Sequence, residues 1–206
     1  MEILGIGTSS HQSIVYHIGE HRRVLGDDVV YASRSCPFGY KLDVTDIATL
    51  QQLFDTERPE VVILAVGSAL KSPSFNSFDD WQRQCDDIAA RTQGTLATMI
   101  AANIVGSVNH FIVLGGREAF EDRSLGAYGV SNGGAWGAVQ HAMRHASYKS
   151  NYVSMPFVTG SANAETLARA GLHTVTERAN AISVPKVIQT VDDIIADRIE
   201  PGRVML

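Results

Sequence analysis

The sequence predicts a doubly wound α/β domain built on a parallel sheet. Three observations carry that expectation. Continuous apolar runs of strand length, Val61-Val62-Ile63-Leu64-Ala65-Val66 and Phe111-Ile112-Val113-Leu114, suit strands buried on both faces. Segments of helical period lie between them, as in Ile47, Leu50, Leu53 and Phe54. The order strand, helix, strand, helix repeats along the chain, as βαβ crossovers require.

Each element follows in turn. Ile3 to Ile6 is the first strand, and residues 10–22 form the first helix. Residues 28–33 are the second strand. Thr45-Asp46 starts a helix that Pro59 stops. Between Arg34 and Asp43 the chain is too short for a normal crossover helix, so none is expected there. The Val61 run is the next strand, and residues 79–105 form a long helix. The Phe111 strand closes on Gly115-Gly116, and residues 127–147 are helical. Residues 152–155 are a strand, 184–197 a helix and 203–206 a last short strand. Ligand sites in such sheets lie beyond the carboxyl ends of the strands. The loops after Ile6, Ser33, Val66, Leu114 and Met155 are therefore the ones to inspect.

The 206 residues suit one domain, 1–206, with a sizeable core. Hydrophobic residues make up 45% and charged residues 19%, which is ordinary globular composition. Net charge is −5, and the densest basic pair is Arg22-Arg23, so no nucleic-acid partner is expected. The N-terminus lacks the pattern of a signal peptide, and no apolar run is long enough to span a membrane. Cys36 and Cys85 form neither a disulfide framework nor a metal spacing, and fit a reducing compartment. The expectation is a soluble, cytoplasmic protein.

Three places could carry chemistry. The loop Gly5-Ile6-Gly7-Thr8-Ser9-Ser10-His11-Gln12-Ser13 joins a strand to a helix. Backbone N–H groups and the helix dipole at such a turn can cradle a pyrophosphate; the alternative is a tight turn capped by serine. After the second strand comes Ser33-Arg34, with no acidic residue to hold ribose hydroxyls. A guanidinium there suits a 2′-phosphate and so NADP(H) over NAD(H); the alternative is a surface arginine. Tyr128 opens a helix and could donate a proton, given a nearby cation to lower its ordinary value near 10. None of the four lysines lies one turn beyond it.

Taken together, these pieces resemble the short-chain dehydrogenase/reductase family, with its Rossmann-like fold, over nearly the whole chain. Gly7-Thr8-Ser9-Ser10-His11-Gln12-Ser13 sits at that family's Gly-x-x-x-Gly-x-Gly. Leu42-Asp43-Val44-Thr45-Asp46 resembles its Asp-Val-Thr-Asp element, whose first acid contacts adenine. Leu64-Ala65-Val66-Gly67 falls at its Asn-Asn-Ala-Gly. Ala127-Tyr128-Gly129-Val130-Ser131-Asn132 lines up with Tyr-x-x-x-Lys, and Val153-Ser154-Met155-Pro156 with its strand-to-Pro-Gly turn. The resemblance implies a nicotinamide cofactor held by Gly7, Thr8, Ser10, His11, Gln12, Ser33, Arg34, Asp43, Val44, Ala65, Val66, Gly67 and Pro156. It also implies a homodimer or homotetramer through the 79–105 and 127–147 helices.

The departures bear on activity. Asn132 stands at the lysine. Gly115, with Gly116 beside it, stands at the catalytic serine. The asparagine of the preceding helix falls on Arg91 or Ile88, and His11 and Ser13 replace two glycines of the phosphate loop. A histidine at that point of close approach is expected to obstruct the usual phosphate pose unless its imidazole takes part. The resulting expectation is an NADP(H)-binding oxidoreductase of altered catalysis on an unknown carbonyl or alcohol. Tyr128 would donate the proton, and Arg117 or Arg91 would replace the lost cation. The alternatives are a catalytically inactive relative used for binding or assembly, and a lyase or isomerase using His11 and Tyr128. His17 with His21, and His141 with His145, have metal-compatible spacing, but solvated helix faces explain them as well, and no metal is expected.

Overall fold

The computed structural model describes residues 1–66, 82, 84–86, 88–117, 127–161 and 181–206, without the side chains of Ala127 and Tyr128. Seven parallel strands form the central sheet: β1 (Glu2–Ile6), β2 (Asp28–Ser33), β3 (Tyr40–Lys41), β4 (Val61–Leu64), β5 (His110–Gly116), β6 (Lys149–Met155) and β9 (Gly202–Met205). Their order is β3-β2-β1-β4-β5-β6-β9, so the chain winds outward from β1 in one direction and from β4 in the other. The register pairs Gly5 with Tyr31 on one side of β1 and with Ile63 on the other. A second, two-stranded sheet pairs β7 (Val158–Thr159) with β8 (Ile182–Ser183).

Helices cover both faces. Alternation along each strand sends Leu4, Val62, Phe111 and Val113 to one face, where they meet α2 (Ile47–Glu57), α3 (Gly94–Val105) and α4 (Ala127–His145). Ile3, Ile63, Ile112 and Leu114 go to the other, against α1 (Ile14–Val24) and α5 (Val184–Ile195). Strands buried on both faces explain why their sequences read as unbroken apolar runs.

The first helix begins at Ile14, later than the sequence indicated, because Ser13 is its N-cap and accepts from Tyr16 N at 3.1 Å. Asp46 caps α2 in the same way, through Thr49 N at 3.3 Å. No crossover helix separates β2 from β3; a short turn leads directly into the two-residue strand. A π-helical turn, Ala89–Gln93, runs into α3. Among the described residues no helix is long and apolar enough to cross a membrane.

Candidate functional site

The sheet reverses its winding between β1 and β4, and the crevice at that switch point is where α/β sheets bind ligands. Gly7 leaves β1 with φ +103°, and a Cβ there would run into the Ala65 carbonyl at the end of β4. Only glycine lets these two strand ends come so close. Gly7 N donates to the Ala32 carbonyl at 2.8 Å, and Ser33 Oγ donates to the Thr8 carbonyl at 3.0 Å. The loops after β1 and β2 are thereby tied together. Thr8 is buried, and Ser33 nearly so.

Arg34 and Asp43 face the same end of the sheet from the solvent side. Asp43 accepts from Thr45 N at 3.0 Å and from Thr45 Oγ1 at 2.7 Å. Those bonds hold its carboxyl below the ordinary value, and the Arg34 charge adds to the effect. Val44 is buried behind it, and Ala65 and Val66 are half-buried at the end of β4. Pro156 is half-buried just after β6. Gly67 lies outside the described residues.

The start of α1 is self-capped. Ser10 Oγ accepts from Gln12 N at 3.3 Å, the Ser10 carbonyl from Ser13 N at 3.0 Å, and Ser13 Oγ from Tyr16 N. Serine oxygens thus take N–H groups that a phosphate could otherwise use. His11 sits within this turn and is exposed. Its ring centroid is 4.8 Å from Phe38 and 4.7 Å from Tyr16, and both of those rings neighbour Tyr31.

A second polar cluster lies beyond the end of β5. Asn132 is fully buried, and its Oδ1 accepts from Arg91 Nη1 at 3.1 Å, Gly116 N at 3.1 Å and the Tyr152 hydroxyl at 3.0 Å. Three donors fix which end of the amide is oxygen. The Tyr152 hydroxyl also lies 3.3 Å from the Gly116 carbonyl. A Cβ on Gly115 would overlap the Tyr152 phenol, with Oη, Cζ and Cε2 all within 2.9 Å. The phenol therefore stands where a serine side chain would be. The gap between Val66, Arg91, Gly115, Asn132 and Tyr152 is too narrow to hold a water. Tyr128 lies one helical turn before Asn132 in α4.

No family model matches the sequence, and no curated protein matches it significantly. Solved structures do match. An oxidoreductase of the short chain dehydrogenase/reductase family from Burkholderia thailandensis superposes with a TM-score of 0.80 at 15% identity, covering 98% of this chain and 89% of that one. The chain has the short-chain dehydrogenase/reductase fold. The Listeria innocua protein lin1944 superposes with a TM-score of 0.78 at 17% identity, covering 100% and 99% of the two chains. The Bordetella bronchiseptica enzyme WbmG, solved in complex with NAD, gives 0.73 at 14% identity, covering 99% and 71%.

Within that fold, the structure separates the two arginines that could supply a cation. Arg117 Nη2 donates to the carbonyl of Leu206. Arg91 is 7% exposed and lies against Asn132, in the π-helical turn. Tyr152 is the site residue that sequence reasoning missed. A glycine inside a buried strand marks a close approach by a neighbour. Tyr152 pairs with Val113, so its ring reaches Gly115 on the diagonal. The histidine pairs do not assemble a site. His21 Nε2 pairs with Asp192 Oδ2 of α5 at 2.9 Å, and His141 lies against His145 with ring centroids 4.6 Å apart. Among the described residues no three metal-ligating side chains converge.

Proposed function

We propose that the protein is an oxidoreductase that binds NADP(H) and acts on a carbonyl or alcohol substrate, with proton handling altered from that usual for its fold. The carrying observation is the crevice at the switch point. Gly7 and Ala65 come into close contact at the ends of β1 and β4, and Asp43 lies near the exposed Arg34 beyond the neighbouring strands. Asp43 offers an acceptor for an adenine amino group, and Arg34 offers a planar cation for a 2′-phosphate. The bound dinucleotide would supply the hydride. This chain's own residues would orient the adenosine half, while Tyr128 would hold the transferable proton. Structures of this fold solved with NAD, such as WbmG, support the cofactor class. The unpaired Cys36 and Cys85 fit a cytoplasmic setting.

Calorimetric titration with NADPH and NADH tests the reading. NADPH should bind at least about tenfold more tightly than NADH, and Arg34→Ala should erase that preference. Absence of NADPH binding at millimolar cofactor would end the proposal.

A second reading has its own support. The self-capped start of α1 and the Tyr152 phenol in the serine's place both suit a scaffold kept for binding rather than turnover. Turnover in a carbonyl and alcohol screen that disappears in Tyr128→Phe would exclude it.

A further inference from the structure

Ser150, Tyr152 and Ser154 alternate onto the face of β6 that meets α4. The first two are bonded. Ser150 Oγ donates to the Val139 carbonyl of α4 at 3.4 Å, and the Tyr152 hydroxyl donates to Asn132 Oδ1 at 3.0 Å. Ser154 is fully buried, and among the described residues its hydroxyl has no hydrogen-bond partner. Buried polar groups without a partner are exceptions, and each needs a cause. This one lies at the carboxyl end of its strand, the end at which α/β sheets bind ligands. Its register partner on β5 is Gly115, one strand away at roughly 4.8 Å, and glycine brings no hydroxyl of its own.

We propose that Ser154 is a catalytic residue whose hydroxyl donates a hydrogen bond to the substrate oxygen, from the strand beside Gly115. The inference rests on the oxidoreductase reading. In that reaction the carbonyl carbon accepts a hydride from NADPH as the C=O π bond opens, and the oxygen takes a proton from the proton donor of that reading. Negative charge gathers on the oxygen in between. A donor aimed at that oxygen therefore binds more strongly in the transition state than in the ground state. The Ser154 hydroxyl keeps its own proton throughout and contributes only the hydrogen bond. The Tyr152 hydroxyl is already engaged with Asn132 and would have to break that bond first. Ser154 has no such bond to break, so the substrate oxygen satisfies a group that the free protein leaves unsatisfied. The hydroxyl is sealed in the free protein, and an entering substrate must displace what covers it.

Two readouts test it. The first is the Tm of the unliganded protein, which needs neither cofactor nor substrate. Ser154→Ala removes a buried hydroxyl that has no partner, so it should raise the Tm by at least about 2 °C. A Tm that falls or does not move would show the hydroxyl bonded in the free protein, to a buried water or a neighbour, and would overturn the inference. The second is NADPH oxidation with hexanal, benzaldehyde and cyclohexanone as probes. Ser154→Ala should lower kcat at least about tenfold, with KM changed less. Ser154→Cys fills the same space with a weak donor and should lose about as much. Full rate in Ser154→Cys would assign the loss to packing and overturn the inference. Undiminished oxidation in Ser154→Ala would remove this inference alone. No oxidation by the wild type with any probe would remove the oxidoreductase reading, and this inference with it.

Discussion

Restoring a serine at position 115 should destabilise the protein, and the size of the loss follows from one side chain. A Cβ on Gly115 overlaps the Tyr152 ring and hydroxyl, with three ring-end atoms within 2.9 Å. Tyr152 is fully buried on a central strand and cannot swing into solvent. It must shift, breaking its 3.0 Å bond to Asn132, for about 1 kcal/mol. Overpacking adds about 1–3 kcal/mol. Gly115→Ser should therefore cost about 2–4 kcal/mol in urea unfolding, a fall in Tm of roughly 5–15 °C for a chain of this size. Tyr152→Phe should not rescue it, because the overlap includes ring carbons. Tyr152→Val removes the ring and leaves its own cavity. Gly115→Ser should then cost about 2 kcal/mol less in that background than in the wild type. Equal cost in both backgrounds, or a change within about 0.5 kcal/mol in the wild type, would refute the steric argument.

Three further outcomes are expected. Asn132→Leu should cost about 3–5 kcal/mol, since Arg91, Gly116 N–H and the Tyr152 hydroxyl lose a shared acceptor together; urea unfolding measures it. His110 is buried at the start of β5, and burial pushes its imidazole below the ordinary value despite the opposing Asp197. The unfolded chain then takes up that proton first, so stability should fall as pH drops below about 6.5. Thermal unfolding of His110→Gln should show a smaller loss over that range. Leu96, Ile100 and Ile104 expose an apolar stripe along α3, with 43%, 52% and 64% exposure, and Val130 on α4 is also exposed. We propose that a second copy covers it. Sedimentation should report a dimer that Ile100→Glu converts to monomer, whereas a monomeric wild type would exclude that assembly.

The framework was legible because burial on both faces leaves little choice of residue. The runs at Val61 and Phe111 could only be strands of a covered sheet, and the missing helix between Arg34 and Asp43 followed from chain length alone. β3 escaped notice because two exposed residues, Tyr40 and Lys41, carry no burial pattern. β7 and β8 are equally short, and their pairing joins segments far apart in sequence. Aligning on Gln93-Gly94 or counting from Trp81 left Arg91 and Ile88 as alternatives for one position. Arg91 lies in a π-helical turn and bonds Asn132, whereas Ile88 precedes that turn. Tyr152 read as an ordinary strand residue, since nothing in local sequence shows that its hydroxyl reaches Gly115. The self-capping of α1 was visible as a serine-rich turn, but its competition with a phosphate emerges only from the hydrogen bonds.

The central claim is that the crevice over β1 and β2 takes an adenine nucleotide bearing a second phosphate on its ribose. Calorimetric titration with 2′,5′-ADP beside 5′-AMP isolates that half of the cofactor from any chemistry. The account predicts saturable binding of 2′,5′-ADP, at least about tenfold tighter than 5′-AMP. Equal affinities, or no heat from either compound at millimolar concentration, would contradict it.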